Sequence, residues 1–165
     1  MDADARAGLA AIARRWVEAG WSAGDGTLPA GAIVDELHDP LFIDHDSGSR
    51  PPDNTGFRDG IVRLLAAFPD LEARALDVVV EPAATCAGAS GATSVAIGGA
   101  KVSGTIAVRW TAVGTHRGAY LGAEPTGKRI TFKGIEVIRV RDGRITARWG
   151  EWDGLDLLGQ LERDL

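Results

Sequence analysis

Residues 109–153 read RWTAVGTHRGAYLGAEPTGKRITFKGIEVIRVRDGRITARWGEWD. Three apolar runs, at 106–113, 130–140 and 145–152, flank two turn signals in and beside this stretch. The first connection is polar and glycine-rich, with Gly114, Gly118, Gly122, Pro125 and Gly127. The second is Asp142-Gly143, which between alternating segments is a strong hairpin signal. Two consecutive hairpins, and so an antiparallel meander, are expected. The composition of the longer connection suits the rim of a pocket.

The middle run carries the most informative residue. Side chains alternate along a strand with a period of two. One face of this run is Ile130, Phe132, Gly134, Glu136, Ile138 and Val140, and the other carries Lys133, Arg139 and Arg141. The first face should turn inward, taking the carboxylate of Glu136 with it. Burial without a partner is costly for a carboxylate and raises its pKa, the physical setting of a general acid or base. A structural reading stands beside this: Glu136 pairs with an internal arginine, or lies on an edge near water.

Working outward, residues 3–22 have Leu9, Ile12, Ala13, Trp16 and Val17 at helical spacing. A short second helix is expected at 29–38, where Pro40 stops it, and a third at 55–68, with Phe57, Ile61, Leu64, Leu65 and Phe68 as its stripe and Pro69 at its end. Between them, LFIDHDSGSRPPDNTG reads as a short apolar segment entering a loop. Asp44 and His45 are neighbours there, so in extended chain they face opposite ways; either one of them faces the core or the pair is solvated turn chemistry. A strand is expected at 71–81, with Leu76, Val78 and Val80 on one side. The Gly/Ala-rich segment 83–104 reads as a loop with a weak strand near 95–102, or as a flexible insertion. After Trp152, Leu155, Leu158 and Leu161 predict a short helix covering one end of the sheet. Helices first and strands afterwards argue an α+β domain in which the N-terminal helices pack on the concave face of a curved antiparallel sheet. Such packing encloses a cone-like apolar pocket, the usual form of a small-molecule site.

At 165 residues the chain is expected to form one domain, 1–165. Its net charge of −5, with no basic cluster beyond an arginine pair, argues against nucleic acid or anionic membrane as partners. No apolar stretch is long enough to span a bilayer. The single cysteine, Cys86, rules out an intrachain disulfide and a cysteine-based zinc cluster. The opening MDADARAG lacks the basic and apolar regions of a signal peptide. A cytoplasmic protein is the expectation.

Specific motifs then add a resemblance. Arg109-Trp110-Thr111, Gly114-Thr115-His116-x-Gly118, Gly122-x-x-Pro125-Thr126-Gly127-Lys128, Arg139-Val140-x-Asp142-Gly143-Arg144-Ile145 and Asp153-x-Leu155-x-Leu157-Leu158-x-Gln160-Leu161 resemble the SnoaL-like polyketide cyclases of the nuclear transport factor two-like superfamily. Asp44-His45 and Ala67-Phe68-Pro69-Asp70 extend the likeness more loosely into the helical half. The resemblance implies an α+β cone, a homodimer or homotetramer, no metal and no organic cofactor. It also implies a hydrophobic small-molecule substrate, whose ring is closed by proton removal beside one carbonyl and attack of the enolate on another. In relatives that close anthracycline rings an aspartate on the last strand is the acid/base group, and its position here is Gly150. A pocket histidine of that group falls at Glu136, a glutamine at Gly134 and an asparagine near Asp44.

A different polar set therefore remains for the same cavity. If Glu136 and Asp44 both face inward, their repulsion raises one pKa and leaves the other group ionised, making an acid and a base. His45 is a further proton carrier. Trp110, Tyr120, Phe132, Arg148, Trp149 and Trp152 are the expected substrate-contacting residues. Trp149 faces away from Trp152 unless a bulge near Gly150 reverses it. His116 is expected to brace its loop, and Trp16 and Trp21 to pack in the core. Three activities fit: cyclase or isomerase chemistry on a polyketide-like molecule, epoxide opening by two carboxylates and Arg148, and ligand binding or assembly without catalysis.

Overall fold

The computed structural model describes residues 2–83 and 101–162. Most of segment 83–104, with its expected weak strand or flexible insertion, lies outside the described residues. The elements are α1 (Asp2–Gly20), α2 (Ala32–Leu37), β1 (His38–Asp44), α3 (Asn54–Ala67), β2 (Glu72–Pro82), β3 (Gly104–Thr115), β4 (Arg129–Arg141), β5 (Arg144–Trp152) and α4 (Gly154–Glu162). They form the expected α+β architecture: N-terminal helices against a curved, unclosed sheet ordered β1-β5-β4-β3-β2.

The meander is as the sequence implies. β3 pairs β4 and β4 pairs β5, both antiparallel. Asp142 and Gly143 have φ of 50° and 79°, the left-handed pair that a two-residue hairpin turn requires. The edge departs from the all-antiparallel expectation, because β1 joins β5 in parallel. That pairing starts at His38, which was expected to close the second helix.

Two bulges set which side chains face inward. In β2 the register steps between Ala75 and Asp77, leaving Leu76 as the extra residue. The bulge inverts the alternation, so Val78 and Val80 turn toward the core while Leu76 is 43% exposed. The expected grouping of Leu76 with them fails for that reason. In β5, Ile145 pairs Val140 and Ala147 pairs Arg139, so Thr146 is the extra residue. Without it, Ala147 and Trp149 would follow Ile145 inward; with it, Arg148, Gly150 and Trp152 do. Pairing then runs unbroken from Arg148 to Trp152, so no bulge near Gly150 reverses Trp149.

The core lies between α1, α3 and the sheet. Trp16 is fully buried, 5.8 Å from the Phe57 ring and 5.6 Å from the Trp21 ring. Its indole N–H donates to His38 Nε2 at 2.9 Å, and His38 Nδ1 lies 3.0 Å from Asn54 Oδ1. Asp53 caps α3 by accepting from the Gly56 N–H at 2.9 Å. His116 braces its loop as expected: its Nδ1 accepts from the Thr126 N–H at 3.2 Å. In α4 the buried side chains are Leu157 and Leu161, whereas Leu155 is 83% exposed. The helix thus covers the sheet as expected but with a different face.

Candidate active site

A cavity of about 620 Å³ opens between α3, the inner face of β3–β5 and the loops at 46–50 and 119–121. Trp110, Phe132, Trp152 and Tyr120 give it aromatic walls, and Glu136 and Arg148 bring charge into it. This volume suits a ligand the size of a few fused rings. A more open hollow of about 720 Å³ beside Glu18 and Arg74 includes none of the expected site residues.

Glu136 is 1% exposed, as its place on the inner face of β4 requires. Arg148 meets it edge-on: Nε donates to Oε2 at 2.7 Å and Nη2 to Oε1 at 3.2 Å. The Trp110 indole N–H donates to Oε1, also at 3.2 Å. Asp44 is 1% exposed and accepts from Arg148 Nη1 at 2.7 Å and from Arg50 Nη2 at 3.1 Å. The result is an ionic chain, Glu136–Arg148–Asp44–Arg50, running from the cavity wall into the loop after β1. The two carboxylates are thus joined by a guanidinium, and their charges are compensated instead of simply repelling.

Burial pushes the Glu136 carboxyl above the usual carboxylate range, with Arg148 and then the Trp110 N–H pulling the other way. The net direction is upward, because an apolar wall solvates the anion poorly. Arg148 stays cationic: burial opposes its charge, but Glu136 and Asp44 hold its pKa above the ordinary value.

Two glycines make the arrangement possible. Gly134 lies opposite Trp110, and a Cβ there would come within 2.6 Å of Trp110 Cζ2. Gly150 lies opposite Glu136, and a Cβ there would collide with Glu136 Oε2 and Arg148 Nη2. Carboxylate and guanidinium therefore fill the space that a side chain at position 150 would take.

The remaining expected residues divide between two sides of the sheet. Tyr120, Phe132 and Trp152 line the cavity with Trp110 and Arg148. His45 is exposed and stacks on Trp149 at 4.3 Å and 3° between planes, outside the cavity. Alternation along β1 and β5 explains this, since each is the neighbour of an inward residue. Asp44 lies behind Arg148 and does not line the cavity. Sequence reasoning missed Trp21, Asp46, Arg50 and Arg63, which do line it. Asp46 accepts from the Gly150 N–H at 2.7 Å and fastens the loop to β5. No periodicity marks the loop residues Asp46 and Arg50; the acidic and basic groups flanking Pro51-Pro52 were the available signal, and Arg63 lies off the apolar stripe of α3. Among the described residues, no three His, Cys, Asp or Glu side chains gather so as to hold a metal ion. No described helix is long and apolar enough to cross a membrane.

Residues 100–161 match the family model of SnoaL-like polyketide cyclase. No curated protein matches the sequence. Among solved structures, the chain is similar to TsrD from Streptomyces laurentii, at 22% identity and a TM-score of 0.71, covering 95% of this chain and 96% of that one. It is similar to IdmH from Streptomyces antibioticus, a candidate polyketide cyclase, at 27% identity and a TM-score of 0.62, covering 92% and 96%. It is also similar to AclR from Streptomyces galilaeus, a candidate hydroxylase, at 21% identity and a TM-score of 0.63, covering 99% and 85%. The protein has the SnoaL-like fold, and the segment from β3 to α4 carries the SnoaL-like sequence pattern. The different reactions named for these neighbours mean that the fold alone does not choose the chemistry.

Proposed function

We propose that the cavity binds a hydrophobic, polyketide-like molecule and that Glu136 moves a proton at the carbon beside one of its carbonyls, closing a ring without a cofactor. The observation that carries this reading is a buried carboxylate of raised pKa set in the wall of an aromatic cavity. As a base, Glu136 takes the proton from carbon and the electrons pass to the carbonyl oxygen. The enolate carbon then attacks a second carbonyl, and the proton returns to the new alkoxide. Arg148 and Trp110 fix the carboxylate's orientation, and Asp44 holds Arg148. His45 stands outside the cavity and has no part in this reading. A homodimer or homotetramer belongs to the same proposal, supported by Ile135 and Val137, 54% and 38% exposed on the outer face of β4, and so does a cytoplasmic location.

The test follows the α-hydrogens of 2-tetralone, a bicyclic ketone, in heavy water by proton NMR. The protein should accelerate their exchange, and Glu136→Gln should lower that rate by about 10² to 10⁴-fold with its melting temperature little changed. Full exchange by the variant would remove Glu136 from the mechanism.

The Asp44–Arg148–Glu136 bridge favours a second reading, in which a carboxylate directs water onto an epoxide. Conversion of cyclohexene oxide to its diol, with no exchange of 2-tetralone, would select it. Binding with the ligand recovered unchanged would select the non-catalytic module.

A further inference from the structure

Tyr120 sits at the cavity wall in a frame of its own. Its N–H donates to the Ala123 carbonyl at 3.0 Å, and the Ala123 N–H returns the bond at 2.9 Å. Between them Leu121 and Gly122 have φ of 50° and 82°. Leu121 and Asp142 are the described non-glycine residues held at positive φ, and Asp142 is explained by its hairpin. A leucine in this region is a strained choice. Here it closes a two-residue turn that fixes the tyrosine at its entry. The Phe68 ring packs edge-on against the phenol ring, with 5.4 Å between centroids and 81° between planes.

The phenol hydroxyl has no hydrogen-bond partner among the described residues, although the ring is half-buried and lines the cavity. The indole N–H of Trp110 and the guanidinium groups of Arg148 and Arg50 are by contrast all engaged with carboxylates. A hydroxyl on the cavity wall that no described protein group engages is free to donate to an oxygen atom of a bound molecule.

We infer that the Tyr120 hydroxyl donates a hydrogen bond to the substrate oxygen that becomes negative when Glu136 removes the proton from carbon. This rests on the proton-transfer reading and completes it. Glu136 accepts the proton, the C–H pair shifts to form the C=C bond, and the carbonyl pair moves onto oxygen. Tyr120 stabilises that oxyanion without giving up its own proton. Burial pushes the phenol above its ordinary value, with Arg50 opposing, so the group remains a neutral donor at physiological pH. The ligand class follows: a ketone or β-diketone on a fused-ring skeleton, its oxygen toward Tyr120 and its acidic C–H toward Glu136.

Tyr120→Phe keeps the ring and deletes the donor. In the 2-tetralone assay it should slow exchange by about 10²-fold. Binding of 2-naphthol, a planar mimic of the enolate, should weaken about tenfold. Binding of naphthalene, which has no oxygen, should not change. Exchange and 2-naphthol affinity both unaltered in the variant would overturn the role of Tyr120 alone. Equal weakening of naphthalene and 2-naphthol would reduce Tyr120 to a packing residue and also overturn it. Absence of exchange by the wild-type protein would overturn the proton-transfer reading and this inference together.

Discussion

A methyl group at position 150 would run into Glu136 Oε2 and Arg148 Nη2. Glycine there is therefore required by the neighbouring ion pair, whatever stands at this position in relatives. Residues 136 and 150 face each other across the β4–β5 ladder, and facing side chains on one sheet face compete for the same volume. A carboxylate reaching over from β4 occupies that volume together with the guanidinium. Gly150→Ala should destabilise the protein by about 1–3 kcal/mol through overpacking, read as a lower urea midpoint. The loss should shrink in a Glu136→Ala background, because the two positions share that volume. Equal losses in both backgrounds would mean that Arg148 or the backbone, and not Glu136, requires the glycine. Sequence pattern located Glu136 and its inward face correctly. It left the partner open, because an Arg148–Glu136 bond depends on strand register, which periodicity alone does not specify.

At the scale of elements, single insertions decide the site. Thr146 is one extra residue in β5, and its bulge turns Arg148 inward beside Glu136. The β2 bulge at Leu76 does the reverse for a leucine. Neither carries a glycine or proline marker, so neither was visible in the sequence. The terminal helix shows the same limit. Leu155, Leu158 and Leu161 fit a helical stripe, yet the sheet covers Leu157 and Leu161, spaced one turn apart. Leu157→Ala should cost about 2–5 kcal/mol, while Leu155→Ala at 83% exposure should leave the midpoint nearly unchanged. Denaturant melts of the two variants distinguish the faces, and a reversed order would contradict the packing of α4.

For the whole molecule, the buried imidazole of His38 couples folding to pH. Burial is the main cause that lowers its pKa to about 4, with Arg148 and Arg58 also lowering it and Asn54 and Asp44 opposing. Its neutral Nε2 accepts from Trp16, and protonation would break that bond. Because the folded value lies below the unfolded one, this stability is complete above about pH 6.5. It disappears as pH falls through about 4, and a shift of that size corresponds to about 3 kcal/mol. Glu136 acts in the opposite sense: its raised value favours the fold at low pH, and that contribution is lost as pH rises through the folded value. Urea titrations between pH 7.5 and about 4 should show falling stability, with a shallower slope in His38→Gln. An unchanged slope would assign the acid sensitivity to other groups.

Alternation, turn residues and helical stripes were enough to determine the helices, the meander, the inward face of β4 and the carboxylate it carries, because these follow from local periods of 2 and 3.6 residues. The tertiary structure alone decided that Arg148 joins Glu136 to Asp44, that His45 stacks outside on Trp149, that β1 runs parallel to β5, and that Tyr120 meets the cavity with its hydroxyl unengaged. Each of these depends on register shifts, loop closure and contacts between residues distant in the chain, and those are settled by packing of the whole, not by the order of neighbours.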